Sequence, residues 1–246
     1  MADDAAAFSS GSYWERRYAA GGHSGAGSRG LLANYKAAFV NRFIRLNGVR
    51  SVIDFGCGDG YQIEALRARS YLGLDVSPTV IAACRERYAD RAGWRFETFA
   101  GHARAEAEAQ TEHDLALSLD VIYHLVEDDI YDGYMRRLFD SARRHVLVYA
   151  SDWDRPGHVP HIRHRWFSGW VARERPDWRV VDRPAHPYPF DEFNDLNTTF
   201  ASFAVFERDP PAPPVPPAPP APPAPPAPPA PPAAPVRRTR RRREGA

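Results

Sequence analysis

VIDFGCGDG, residues 52–60, decides how the rest of the chain is read. Val52, Ile53 and Phe55 suit a short strand buried on both faces. Glycine then takes every second place, at Gly56, Gly58 and Gly60. Glycine tolerates positive φ and lets the backbone come close to a ligand, so this loop suits a nucleotide-like group held against bare peptide. A following helix would add unpaired N–H groups at its start. The fingerprint for pyrophosphate dinucleotides is G-x-G-x-x-G, whereas here the third glycine arrives one position early. Such a loop passes beside a ligand with no diphosphate to wrap.

The second strand supplies the next test. Asp75 follows YLGL, 21 residues beyond Asp54, where a carboxylate accepts two hydrogen bonds from a ribose diol. The plainer alternative is a turn aspartate in DVSP. Around these two strands the hydrophobic period alternates. Leu32, Tyr35, Phe39, Phe43 and Leu46 recur at three and four, a helix that Asn47-Gly48 would end. Strands are expected at 51–55, 71–74, 94–99, 115–119 and 145–150. Helices are expected at 61–68, from Pro78 to Ala89 with Ser77 as N-cap, and around Ile130, Tyr134 and Leu138. RWFSGWVARE, from residue 165, is helix-like. Residues 178–181 and 200–206 read as an antiparallel strand pair at the end. Alternating strands and helices at this spacing give a Rossmann-like, doubly wound α/β domain with a mostly parallel sheet.

VIDFGCGDG and YLGLDVSP resemble the first two motifs of the class I S-adenosylmethionine-dependent methyltransferases, and DLALSLDVIYHL resembles their fourth-strand motif. The closing antiparallel pair is similar to the end of their seven-stranded sheet. YWERR, Tyr13 to Arg17, with the glycine-rich run after it, is similar to the N-terminal cap of small bacterial members. The resemblance spans roughly residues 13–206 and implies S-adenosyl-L-methionine as cofactor. It puts Gly56, Cys57, Gly58 and Gly60 beside the cofactor's amino-acid part. Asp54 would orient that loop or the ammonium, and Asp75 with Val76 would meet the ribose. One departure stands out: Thr98, Ala100 and Gly101 occupy the place after strand three where many members put an acid for the adenine amino group.

The acceptor side is less determined by sequence. Asp120 and His124 follow strand four, in the loop that the resemblance turns toward the transferred methyl. An imidazole takes a proton near neutrality, so His124 is the candidate base, with Asp120 beside it as catalytic or cofactor-contacting. Packing or capping roles are the alternatives for both. HVPHIRHRWF offers His158, His161, Arg163 and His164 as a polar lip for an anionic or hydroxyl-rich acceptor, or as a solvated loop. A metal reading of the histidines is disfavoured, since Pro160 breaks helical geometry. Tyr13 and Trp14 are further substrate candidates. The segment Gly21 to Gly30 reads either as a hinged lid or as a flexible loop.

Composition bounds these readings. Apolar residues make up 43% and charged residues 26% of 246, enough for one domain with a sizeable core. The net charge of +1 conceals +5 in the last ten residues, which leaves the body at −4 and without a broad footprint for nucleic acid. Two cysteines give no disulfide framework, no basic-then-apolar leader is visible, and no apolar run is long enough to span a membrane. A cytoplasmic protein is the expectation. Four regions follow: a cap or lid over 1–30, the cofactor-binding domain over 31–208, a disordered Pro/Ala-rich linker over 209–236 and an Arg-rich tail over 237–246. In polyproline II at about 3.1 Å per residue the proline run would reach roughly 80 Å.

The expected activity is methyl transfer to a small molecule through oxygen or nitrogen. An RNA-directed enzyme using the Arg-rich tail, or a scaffold with a Pro-rich arm, are the alternatives. A nicotinamide oxidoreductase is disfavoured by the glycine spacing and by the lack of a Tyr-Lys pair, Lys36 being the only lysine.

Overall fold

A computed structural model describes residues 8–106 and 112–210. The proline run beyond Pro210 and the arginine tip lie outside the described residues. The elements, in order, are α1 (Ser10–Ala19), α2 (Gly30–Asn47), β1 (Ser51–Phe55), β2 (Ser70–Asp75), α3 (Pro78–Arg87), β3 (Trp94–Thr98), α4 (Phe99–Glu106), β4 (His113–Leu119), α5 (Asp128–Asp140), β5 (Ala142–Ala150), β6 (Arg155–Pro156), β7 (Arg163–His164), α6 (Phe167–Glu174), β8 (Trp178–Asp182) and β9 (Ser202–Arg208).

Seven strands form one sheet in the order β3-β2-β1-β4-β5-β9-β8. The first five pair in parallel, and β9 runs antiparallel to both β5 and β8. Strand order reverses at β1, whose neighbours are β2 and β4, so a crevice opens beyond the carboxyl ends of those strands. β6 and β7 form a separate two-stranded hairpin.

Helices cover both faces, which is why the central strands are apolar along their length. Val52, Ile53 and Phe55 of β1, and Leu115, Ala116 and Leu117 of β4, are buried. On one face, Tyr35 and Phe39 of α2 meet Phe203, and Phe43 meets the His145 ring. On the other, Tyr134 of α5 packs edge-on against Phe55, and Phe139 and Phe167 pack on Phe206. Burying a fully enclosed ring such as Phe139 or Phe167 contributes about 1.5–3 kcal/mol.

Local signals explain several boundaries. Gly48 adopts φ 62 and ends α2, and the Ser77 hydroxyl accepts from the Val80 N–H at 3.1 Å to open α3 at Pro78. The inner stripe of α2 is Leu32, Ala33, Lys36, Ala37, Val40 and Ile44, whereas Leu46 is exposed.

The helix expected over 61–68 is a correction. Only a 3-10 turn, Tyr61–Ile63, forms there. Arg91 takes the Glu64 carbonyl at 3.2 Å, which a helix would pair with the Ala68 N–H, and other side chains hold the carbonyls that follow. Asn41 donates to Ala65 O at 2.8 Å and Arg91 to Leu66 O at 2.8 Å, while the Trp94 indole donates to Ala68 O at 3.0 Å. Asn41 also accepts from the Arg67 N–H at 2.7 Å. These groups are satisfied without a helix, so tertiary partners override the local pattern. Strand three ends at Thr98, because Phe99 begins α4.

Candidate active site

The glycine loop leaves β1 with φ of 87, 57 and 78 at Gly56, Gly58 and Gly60. The N–H groups of Gly56 and Cys57 donate back to Leu74 O at 2.7 and 2.9 Å, which ties the loop to the end of β2. Gly58 is the position where glycine is required. A Cβ there would land on the Ser24 hydroxyl, closer than real contacts allow, and its φ favours glycine as well. Gly58→Ala is therefore expected to lower the melting temperature by several degrees. Left-handed alanine costs about 1–2 kcal/mol and overpacking about as much again. Combined with Ser24→Gly, the loss should be smaller than the sum of the two single variants in calorimetry.

Asp75 stands at the end of β2. Its carboxylate accepts from the Gly58 N–H and the Ser77 N–H, both at 3.0 Å. Burial pushes its pKa up to about 6, although the backbone donors of Ser77, Gly58 and Val76 oppose the rise. Gly56, Gly58, Asp75, Val76 and Asp120 all border one cavity of about 580 Å³, and Trp14, Tyr18 and His124 border it too.

Three of the sequence candidates face elsewhere. Asp54 is fully buried and accepts from the Tyr71 hydroxyl at 2.7 Å, so it joins β1 to β2 instead of orienting the loop. Burial raises its pKa to about 7, against the pull of that hydroxyl and of the Lys36 charge. The Cys57 side chain is buried in the core against Gly73, which leaves only its backbone on the loop. Gly60 is a packing glycine: its carbonyl accepts from Tyr88 at 2.7 Å, and a Cβ would press on that ring at 2.9 Å.

The N-terminal segment covers the loop. Asp59, between Gly58 and Gly60, accepts from the Ser24 N–H at 3.0 Å and takes the Arg29 guanidinium as a fork at 3.1 and 2.7 Å. Burial pushes its carboxyl up, but Arg29 and the Ser24 and Tyr61 N–H groups outweigh it and hold the pKa below the ordinary value. The Ser24 hydroxyl in turn accepts from the Asp59 N–H at 3.0 Å and contacts the Tyr18 hydroxyl at 2.9 Å. α1 is tied at two further points. The Ser10 N–H donates to Glu127 at 2.8 Å, and Glu15 accepts from the Ser77 hydroxyl and from Thr79 at 2.6 Å.

Where an acid was looked for after β3, the wall is apolar. Thr98 turns its hydroxyl to the Gly101 N–H at 3.0 Å, while Phe99 lines the cavity with the Arg137 guanidinium 5.2 Å from its ring centre.

At the opposite end, His124 is placed by three rings and a carbonyl. Trp14 meets it edge-on at 4.8 Å, and Tyr123 and His161 lie at 4.5 and 5.7 Å. Its Nδ1 is 2.9 Å from His161 O. A carbonyl only accepts, so Nδ1 carries the proton and Nε2 keeps its lone pair. Burial lowers its pKa to about 4, despite the opposing hydrogen bond to the His161 carbonyl, and the ring is neutral at pH 7. Asp120 has φ 61, the one non-glycine left-handed residue among those described. It accepts from the Tyr123 hydroxyl at 2.9 Å and pairs with Lys36.

The expected polar lip is dispersed. His161 stacks on Tyr13 at 4.7 Å and holds His124, so these two residues act from behind Trp14. Arg163 pairs with Asp128 at 2.9 Å. His164 is buried against Ser151 at 2.8 Å, and His158 is exposed; none of these three borders the cavity. Sequence reading missed Lys36, Asp59, Gln62, Phe99 and Tyr134 as site residues.

A mostly parallel sheet thus opens at its carboxyl ends onto a glycine-walled cavity with a carboxylate at the end of β2. Residues 52–145 of the chain match the family model for a methyltransferase domain, and the fold is that of solved S-adenosylmethionine-dependent methyltransferases. Among solved structures it is similar to the N-methyltransferase NodS from Bradyrhizobium japonicum WM9 in complex with S-adenosyl-L-homocysteine. That match has a TM-score of 0.59 at 13% identity, over 82% of this chain and 99% of that one. It is also similar to the magnesium protoporphyrin IX methyltransferase of Synechocystis PCC 6803 with bound S-adenosylmethionine. Here the TM-score is 0.56 at 14% identity, over 83% and 99%. The small RNA methyltransferase HEN1 matches with a TM-score of 0.51 at 16% identity, over 72% of this chain and 25% of that one. No curated protein sequence matches. Among the described residues no helix is long and apolar enough to cross a membrane.

Proposed function

We propose that the chain transfers a methyl group from S-adenosylmethionine to a small acceptor through an oxygen or nitrogen atom. One observation carries this reading: the glycine loop, Asp75, Trp14 and His124 border a single cavity of about 580 Å³. Small-molecule pockets run from about 300 to 1,000 Å³, so the space suits a nucleoside cofactor with little room to spare. The donor set fits the cofactor. Asp75 is placed to accept from a ribose diol, and the bare backbone at Gly56 and Gly58 leaves space for an amino-acid part. Val76 and Phe99 offer apolar walls to a purine.

When bound, the cofactor supplies a methyl carbon made electrophilic by its sulfonium. The chain supplies alignment and a proton acceptor. His124 Nε2 takes the proton of a hydroxyl acceptor, and the His161 carbonyl keeps the ring in the tautomer that allows it. Trp14 and α1 roof the cavity and keep water from the reacting atoms. We take residues 8–30, the described part of the 1–30 cap, as the lid, with Asp59 as its latch.

Isothermal titration with S-adenosylmethionine and S-adenosylhomocysteine tests the reading. Both should bind in the micromolar range, and NAD should not. Binding of NAD with no response to either sulfur compound would overturn it.

A further inference from the structure

We propose that Lys36 sets the charge at the Asp120 end of the cavity, and through it the relative affinity for charged S-adenosylmethionine and its uncharged product. The inference rests on the cofactor reading above.

Lys36 is the only lysine of the chain, and its side chain is 0% exposed. It projects from the inner stripe of α2, where every neighbour on the stripe is apolar. Its Nζ donates to Asp120 and, at 2.9 Å, to Gln62 Oε1, with the Tyr149 ring centre 5.3 Å away. Burying an ammonium costs more than an ion pair of this kind returns, and an apolar side chain of similar length would pack there without that cost. Fold stability is thus a poor reason for a lysine at this position. Asp120 is equally unusual: it bears the left-handed backbone noted above, and its carboxylate borders the cavity with a side chain only 12% exposed.

The cavity is small enough for charge to matter in any ligand pose. A volume of about 580 Å³ is roughly 10 Å across, so a cation inside it feels the Asp120 carboxylate with little screening. Asp75 adds a second carboxylate to the cavity lining. Methyl transfer removes the positive charge from sulfur. A bare Asp120 would hold the charged starting state more tightly than the transition state, which slows the reaction. Lys36 cancels that charge, and Gln62 and Tyr123 fix the two partners in register.

The test compares dissociation constants for S-adenosylmethionine and S-adenosylhomocysteine at about pH 8, where free carboxylates are ionised. Lys36→Met uncovers Asp120 and should shift the ratio about tenfold toward S-adenosylmethionine. Asp120→Asn uncovers Lys36 and should shift it about tenfold the other way. The double variant should return to within about threefold of the parent. Equal weakening of both ligands, with the parental ratio kept in both single variants, would overturn the proposal and leave the pair a scaffold. Should Lys36→Met fail to fold by circular dichroism, Asp120→Asn decides alone, because its ratio must still move toward the product. A parent protein that binds neither ligand overturns the cofactor reading instead, so the two failures are distinct.

Discussion

Asp75→Ala is expected to weaken S-adenosylmethionine binding about a hundredfold, close to 3 kcal/mol. The carboxylate has two tasks in the folded protein. It accepts from the N–H groups of Gly58 and Ser77, and it faces the cavity where a ribose diol would donate. Alanine removes the ribose acceptor and leaves two backbone donors unpaired at a buried place, and each lost charge-assisted hydrogen bond is worth about 1.5–3 kcal/mol. The cost falls on the bound state, because the ligand needs both the acceptor and the loop it steadies. Burial raises the Asp75 pKa to about 6, so in the parent the carboxyl gains a proton as pH falls through 6 and becomes a poorer acceptor. Affinity should accordingly decline below pH 6 in the parent, and Asp75→Asn should bind more weakly with no such decline. Titration calorimetry across that range reads both effects. Parental affinity in Asp75→Ala would mean that the sugar is held elsewhere.

The parts of the site that were legible are those written in local chemistry. Alternating glycines after Phe55 announce a loop without side chains, and the acid that ends the next strand announces its partner. Asn47-Gly48 and Ser77-Pro78 mark helix ends because cap and left-handed conformations are residue-specific. The failures have one physical origin. Tyr61 to Ala68 carries an acceptable helical pattern, but Asn41, Arg91 and Trp94 reach in from distant positions and occupy its carbonyls. Nothing within those eight residues reports that competition.

Lys36 illustrates the same limit from the opposite direction. A lysine beside Tyr35 in a helical repeat reads as a solvated residue, and its partner Asp120 lies 84 positions away. Asp59 was hidden inside the glycine motif, where attention goes to the glycines and the acid between them passes as loop polarity. Its role emerges only when Arg29 and Ser24 fold back on it. The histidines of HVPHIRHRWF err the other way. Their spacing looks like a cluster, but β7 sends His164 to Ser151 while His161 turns to Tyr13. Sequence proximity is poor evidence for a shared site when a hairpin runs through it.

His124→Gln is expected to lower methyl transfer to a hydroxyl acceptor by about 10²–10⁴-fold, the range of a lost general base. Glutamine keeps much of the volume and the polarity but takes no proton. Binding of S-adenosylmethionine should change by less than about threefold, since Asp75 and the glycine loop are untouched. The acceptor is found first, by incubating the parent with a metabolite extract and following the gain of one methyl; the variant is then compared on that compound. The pH profile distinguishes this buried base from an exposed one. Burial holds the His124 pKa at about 4, so the neutral ring persists down to that pH and its lone pair is lost only as pH falls below it. Transfer at saturating cofactor should therefore be flat from about pH 6 to 8, where an exposed histidine would titrate. A purely structural histidine would lose cofactor affinity and thermal stability together on substitution. An unchanged transfer rate with His124→Gln would assign proton removal to solvent and direct attention to an amine acceptor, which arrives at the methyl carbon already unprotonated.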